Sequence, residues 1–308
     1  MNSVVVFGSL NMDLTIESER MPLQGETIPG KGFFTNPGGK GANQAVAAAK
    51  SGVPTYLIGA AGQDLFGDQL VSGLVGHGVR CDELARTKGV ETGVAVVLRS
   101  QGDNRIVLSP GANHALKIAD VDSALDYVAR RGDVFLAQLE CDFETTVAAL
   151  ASAKARGMRT IVNVAPPRDL PDEAWANIDV VCVNETECQA VCGIFPDDED
   201  SLERALIALT AKGPDTAIVT LGGRGSVALS DGRIIRQEAL RVRAVDTTAA
   251  GDTFIGVVAA SMVSGLPLEE GMRWASCAAG ITASRVGAQQ AIPTALEVDE
   301  YLKEAGHE

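Results

Sequence analysis

DVVCVNE, residues 179–185, runs from Val180 to Val183 with no polar residue in alternation and stops on Asn184 and Glu185. A strand with one face in water alternates apolar and polar side chains, whereas an uninterrupted apolar run is buried on both faces. VVVFGS (4–9), TYLIGAAG (55–62), DVFLAQLE (133–140), TIVNVAP (160–166) and TAIVTLGG (216–223) have the same form. Between them lie ANQAVAAAK, TTVAALASAKA and SLERALIALTA, with apolar residues at helical spacing, the last two beginning after or near Thr or Ser caps. Continuous strands alternating with helices predict an α/β fold, a central mostly parallel sheet flanked by helices.

Two stretches break the rhythm. Residues 14–36 and 92–109 read as strands and turns without helices, the second as a hairpin about Gln101 to Asn104. Together they predict a small discontinuous β-sheet lid on a single domain spanning residues 1–308. Val94 to Leu98 is apolar at every position, so its outer face either packs on a second copy, giving a homodimer through the lid, or folds back on its own core.

Composition excludes several function classes. The chain has 308 residues, a formal charge of −14 and 46% hydrophobic residues, which describes a folded protein without the basic face that nucleic acid or an anionic membrane requires. An anionic ligand would have to be held by local donors or a divalent cation. Six cysteines form no CxxC pair, so buried reduced thiols are expected. The opening MNSVVVFGS lacks a basic n-region and no apolar run approaches membrane-span length, which leads to the expectation of a cytoplasmic enzyme. His77, His114 and His307 show no metal-ligand spacing, and PDDEDSLE (196–203) reads as a solvated helix start.

In a parallel sheet the ligand crevice lies beyond the carboxyl ends of the strands. The residues found there are Asn11 and Asp13, Glu140, Asn163, Asn184 with Glu185 and Glu187, and Thr220 with Gly222 and Gly223. NPGGKGANQAVAAAK (36–50) is not a Walker A loop, because Gly41 rather than Ser or Thr follows Lys40, and no GxGxxG opens the chain. It is a glycine turn that carries a lysine and an asparagine into a helix, either an ordinary helix start or a close approach to a polyhydroxyl ligand. TLGGRGSVAL (220–229) reads as a hairpin with Arg224 at a solvated tip, or as room for a phosphate or purine near the backbone. AVDTTAAGDTFIGVVAA (244–260) places Ala249, Ala250 and Gly251 at a helix start near Asp252. Asp252 is then either an N-cap or a base that takes a hydroxyl proton while the helix N–H groups stabilise a transferred phosphoryl group.

SLNMD (9–13), GGKGANQAVAAA (38–49), QLE (138–140), NETE (184–187), TLGGRG (220–225), AVDTTAAGDTF (244–254) and GAQ (287–289), in that order, resemble the ribokinase family of carbohydrate kinases, the phosphofructokinase B type, over nearly the whole chain. The resemblance implies a ribokinase-like fold and ATP-dependent phosphorylation of D-ribose at its 5-hydroxyl. It makes Asp252 the base and Ala249, Ala250 and Gly251 the anion hole. Asn11, Asp13, Gly39, Lys40, Asn43 and Glu140 would hold the sugar. Asn184 and Glu187 would place the nucleotide phosphates and magnesium (Mg2+), with Thr220, Gly222, Gly225, Gly251 and Ser276 at the ATP site. A potassium ion (K+) would draw on Asp246, Thr248, Thr282, Arg285, Gly287 and Ala291. The sequence departs from the family pattern at Val164, Cys188, Val286 and Ala291, the last leaving out a side-chain oxygen at the potassium site. The competing functions are a sibling kinase acting on 2-deoxyribose, fructose or adenosine, and a catalytically silent sugar-binding protein.

Overall fold

The computed structural model describes residues 2–101 and 103–305; His307 lies outside them. In chain order the first half comprises β1 (Val4–Phe7), β2 (Asn11–Glu17), β3 (Lys31–Gly38), α1 (Lys40–Lys50), β4 (Thr55–Gly62), α2 (Leu65–Gly76), β5 (Leu84–Thr87), β6 (Gly93–Ser100), β7 (Asp103–Ser109), α3 (Ile118–Val128), β8 (Val134–Ala137) and α4 (Phe143–Ala155). The second comprises β9 (Arg159–Asn163), α5 (Asp172–Trp175), β10 (Val180–Asn184), α6 (Glu185–Cys192), α7 (Glu199–Thr210), β11 (Thr216–Thr220), β12 (Ser226–Ser230), β13 (Arg233–Gln237), α8 (Ala250–Val263), α9 (Leu268–Ala283) and α10 (Ala295–Ala305).

All six continuous apolar runs form strands of one nine-stranded sheet, ordered β13-β12-β11-β10-β9-β8-β1-β4-β5. Pairing is parallel from β5 to β11 and antiparallel at β12 and β13. Alternate residues of each run enter opposite cores. Val4, Val6, Leu136, Ile161, Val180 and Ile218 join α1, α8 and α9 on one face. Val5, Phe7, Phe135, Val162, Val181 and Val219 join α3, α4 and α7 on the other. Both faces are therefore dry, which is why no polar residue interrupts the strands.

The helices predicted from periodicity are present, but the caps of α4 and α7 are aspartates rather than Ser or Thr. Asp142 accepts from Thr145 N at the start of α4, and Asp198 accepts from Ser201 N at the start of α7. A carboxylate both accepts an orphan N–H and complements the helix dipole, so it takes the cap where an acidic residue precedes the first turn.

The remaining strands form a separate four-stranded sheet, ordered β3-β2-β6-β7. It extends beyond the predicted limits, to Asn11 and Gly38, and β2 and β6 pair in parallel across a long separation in sequence. The β6–β7 hairpin turns at Gln101, whose φ is 51°. Ala95 and Val97 face inward onto the chain's own core, whereas Val96 is 46% exposed. Among the described residues no helix is long and apolar enough to cross a membrane.

Candidate active site

The strand order reverses at β1. From there the chain moves to β4 on one side and later returns to β8 on the other, which opens a crevice beyond their carboxyl ends. Ser9, just past β1, donates its hydroxyl to Glu140 Oε2 at 2.5 Å, and the backbone N–H of Lys40 donates to the same oxygen at 3.1 Å. The Glu140 carboxylate thus closes the N-terminus of α1 over the crevice. Gly39, at φ 92°, lies so near the first loop that a Cβ would stand 2.7 Å from the Ser9 carbonyl oxygen. With a Cβ at Gly38 2.5 Å from Asp13 Oδ2 and one at Gly41 colliding with the Gly8 carbonyl carbon, these approaches explain the glycines of GGKGAN.

Asn11 and Asp13 reach the same crevice from β2. Asn113 donates Nδ2 to Asn11 Oδ1 at 2.8 Å and to the Leu10 carbonyl at 3.1 Å, while its Oδ1 accepts from Leu10 N at 2.9 Å. These bonds fix the Asn11 amide, leaving its NH2 to face a ligand. Burial, and then the nearby Glu140 charge, push the Asp13 carboxyl up to about 7.

Asp252 is not an N-cap. The cap of α8 is Ala249, held at φ 63°, and Asp252 sits within the first turn, 9% exposed. Asn43 Nδ2 donates to Asp252 Oδ2 and Gln44 Nε2 donates to Asp252 Oδ1, each at 2.9 Å. Both carboxylate oxygens are therefore aimed by amides of α1. The N–H of Ala250 engages the Thr247 carbonyl at 3.2 Å, whereas the N–H of Gly251 belongs to the first turn, which has no partner four residues back.

Left-handed backbone at a residue with a Cβ costs roughly 1–2 kcal/mol, against which glycine forfeits roughly 0.5–1 kcal/mol through its unfolded freedom. Ala249→Gly is therefore expected to stabilise the fold by roughly 0.5–1 kcal/mol. Urea unfolding checks this, and an unchanged or lower midpoint would contradict it.

Beside Asp252 lies a cavity of about 240 Å³ whose lining includes Lys40, Asn163, Asn184, Glu187, Thr220 and Gly251. Asn184 caps α6 in a reciprocal box, its Oδ1 accepting from Glu187 N while Glu187 Oε2 accepts from Asn184 N. Burial raises the Glu187 pKa, as does the nearby Asp252 charge, against the lowering effects of the Asn184 N–H and Lys40. Burial alone would lower the Lys40 pKa, but Asp252, Glu140 and Glu187 together raise it. The ammonium is thus shared by Glu140 and the cavity carboxylates. Gly222 and Gly225 form the turn after β11, at φ 53° and 95°. Arg224 is not a free tip: it pairs with Glu185 at 3.1 Å. Ser276 is not brought to this cavity. It donates to the Glu238 carbonyl at 2.9 Å and lines a second cavity with Arg241, Arg273 and Tyr301.

Residues 1–295 match the model of the pfkB family carbohydrate kinases. The chain belongs to this family. It is 36% identical to a ribokinase of Schizosaccharomyces pombe, over 97% of each chain, and 32% identical to a deoxyribokinase of Salmonella typhi, over 97% of this chain and 98% of that one. Its structure is similar to that of Arabidopsis thaliana ribokinase complexed with ribose and ATP, with a TM-score of 0.89, 32% identity, and coverage of 98% and 99% of the two chains.

In this carbohydrate kinase the residues expected to hold potassium are brought together only in part. Asp246 Oδ1 accepts from Thr248 N at 3.0 Å and Thr248 Oγ1 at 2.6 Å, and Asp246 Oδ2 accepts from Gly287 N at 3.3 Å. Burial acts to raise the Asp246 pKa, but these bonds and Arg99 outweigh it and hold the pKa low. Thr282 is turned inward, its hydroxyl on the Ala278 carbonyl, while the Arg285 side chain pairs with Glu297. Ala291 is buried and offers no side-chain oxygen.

Sequence reasoning on this kinase assigned no role to Ser9, Gln44, Asn113 or Gln138. Gln44 had a legible signal: NQ is a polar pair opening an otherwise apolar helical run, AVAAA. Asn113 lies in a 3₁₀ turn remote in sequence from every motif, and nothing local marks it.

Proposed function

We propose that this chain is an ATP-dependent pentose kinase that transfers the γ-phosphoryl group to the 5-hydroxyl of D-ribose. The observation that carries the reading is Asp252. A buried carboxylate, held at both oxygens by α1, lines the cavity of Asn184, Glu187 and Thr220, and Lys40 beside it is shared with Glu140 of the crevice that Asn11 and Asp13 reach. The similarity to a ribokinase bound to ribose and ATP supports the same reading.

In this mechanism Asn11, Asp13, Gly39, Lys40, Asn43 and Glu140 hold the sugar hydroxyls through paired donors and acceptors. Asp252 accepts the 5-hydroxyl proton as the oxygen attacks the γ-phosphorus in line and the bond from that phosphorus to the bridging oxygen breaks, ADP leaving with the electron pair. The N-terminus of α8 at Ala249, Ala250 and Gly251, with Lys40, stabilises the charge on the transferred group. ATP occupies the side of Asn184, Thr220, Gly222 and Gly225. Magnesium would be held from the protein side by Glu187, whose buried carboxylate suits a hard cation, and would neutralise the triphosphate in an acidic protein. Potassium would lie against Asp246 and Thr248, with weak activation because Ala291 contributes no side-chain oxygen.

The chain acts as one domain, with the four-stranded sheet as a lid that excludes water over the sugar. Six free cysteines suit a reducing, cytoplasmic setting. The face of the lid that carries Val96 also carries Val107, its partner across β6 and β7, with Phe33 on β3; Val107 is 71% exposed, and this apolar surface supports a homodimer through the lid. Wild type is expected to run as a dimer in light scattering at micromolar concentration and Val107→Glu as a monomer. A monomeric wild type would remove the dimer.

The test of function is ADP release from MgATP with D-ribose, 2-deoxyribose, fructose and adenosine at matched concentrations, with and without K+. Turnover with ribose in preference to the others supports the reading. Preference for 2-deoxyribose, which the Salmonella relative makes the second reading, would move the acceptor while keeping the mechanism. Sugar binding without turnover would leave a silent sugar-binding protein.

A further inference from the structure

Gln44 is fully buried and does not line the cavity, yet its amide is saturated. Nε2 donates to Asp252 Oδ1 at 2.9 Å and to Asn163 Oδ1 at 3.2 Å, and Oε1 accepts from Gln138 Nε2 at 2.6 Å. The orientation has a single solution. Asn163 Nδ2 donates to the Cys182 carbonyl of β10 at 3.2 Å, so Asn163 Oδ1 must face Gln44, and only the NH2 of Gln44 can answer both Asn163 and a carboxylate. Inverting the Gln44 amide would set oxygen against oxygen at both contacts. Asn163 lines the cavity beside Glu187 and acts to lower its pKa. Amides thus lead from the cavity, through Asn163 and Gln44, to the proposed base.

We infer that Gln44 is a positioning residue for phosphoryl transfer. It sets the rotamer of Asp252 and couples it to Asn163 at the nucleotide side, without touching either substrate. Asn43, the other donor to Asp252, is itself held by Gln289 Nε2 at 3.3 Å and belongs to the proposed sugar contacts, so it cannot act on the base independently of sugar binding. Gln44 can. This inference rests on Asp252 being the base.

Two variants separate positioning from packing. Gln44→Leu keeps bulk and removes the donors. A misaimed reacting group costs about 10–100-fold, so kcat is expected to fall by that factor while calorimetric ribose affinity stays at the wild-type value. Gln44→Glu is nearly isosteric and places a second carboxyl within hydrogen-bond reach of Asp252, where two adjacent carboxyls cannot both ionise. The Asp252 charge acts on Lys40 from α1 and Glu187 from α6, and both are unchanged in either variant. As pH falls the introduced carboxyl binds a proton, and its O–H can then donate as the glutamine amide did. The ratio of Gln44→Glu to wild-type kcat is therefore expected to rise from pH 8.5 to pH 6, whereas the ratio for Gln44→Leu stays flat.

Folded Gln44→Leu with wild-type kcat, or a pH-independent loss common to both variants, would overturn the assignment. Wild type that turns over none of the acceptors overturns the kinase reading and this assignment with it. An active wild type beside an equally active Gln44→Leu overturns only the assignment.

Discussion

Asp252→Asn is expected to lower kcat by about 10²–10⁴, the usual share of a general base, while leaving ribose and nucleotide bound. In the wild type both carboxylate oxygens accept from amides, Oδ2 from Asn43 and Oδ1 from Gln44. The substituted amide offers one oxygen and one NH2, so one of the two donors meets another donor. The binding cost is about that of one neutral hydrogen bond, less than about tenfold in Kd. The remaining proposed sugar contacts, Asn11, Asp13, Gly39, Lys40 and Glu140, are untouched. Single-turnover kinetics beside calorimetry separates the two quantities. A variant turning over at the wild-type rate would reduce Asp252 to a carboxylate that ties α1 to α8.

Ribose affinity is expected to weaken about 10–30-fold between pH 8 and pH 5.5, through protonation of Asp13. The crevice pushes this carboxyl from 3.8 up to about 7, by burial and then by the nearby charge of Glu140. A sugar hydroxyl donates most strongly to the ionised form, so binding is favoured above about pH 7 and lost below it. Stability runs the other way. The unfolded chain ionises Asp13 near 3.8, so between that value and about 7 the folded state holds the extra proton. Stability therefore falls as pH rises through this window, and the penalty is complete above it. Asp13→Asn lacks the penalty. It is expected to unfold at higher temperature than wild type at pH 8.5, by on the order of 2 kcal/mol after allowance for partial exposure, with the gap gone near pH 4. Its ribose affinity should be poor and nearly independent of pH. Calorimetry across pH and thermal unfolding of both proteins check the pair of effects, and a pH-independent wild-type Kd would remove Asp13 from the sugar contacts.

The opposed signs at Asp13 describe a site held ready at the expense of the fold. The charge is unfavourable in the empty crevice and useful once hydroxyls donate to it. Left-handed Ala249 at the start of α8 belongs to the same pattern of local strain beside the proposed chemistry.

The order of strands and helices was legible along the chain because burial of both sheet faces leaves a local mark, an unbroken apolar run such as Val180 to Val183. GGKGAN and TLGGRG were legible as glycine turns, but the need for glycine is tertiary: a Cβ at Gly39 would stand 2.7 Å from the Ser9 carbonyl oxygen and one at Gly225 would collide with the Gln237 carbonyl oxygen, while Gly222 and Gly223 have open space around them. The small sheet was legible as strands, although its parallel β2–β6 pairing joins residues far apart and leaves no such mark. Capping was misread where it depended on which neighbouring side chain reached an N–H first, as at Asp142 and Asp198.

The identities of Asp252, Glu140, Glu187 and Lys40 were set by sequence alone, as was their clustering at strand and helix ends. Their chemical environment was decided only by tertiary structure. Asp252 could be a cap until the fold made Ala249 the cap of α8 and brought Asn43 and Gln44 against its two oxygens from some two hundred residues earlier in the chain. Asn113 orienting Asn11 and Asn163 orienting Gln44 are likewise contacts between distant segments. Periodicity records what each residue buries, whereas the aim of a buried amide or carboxylate depends on partners that only the folded sheet brings together.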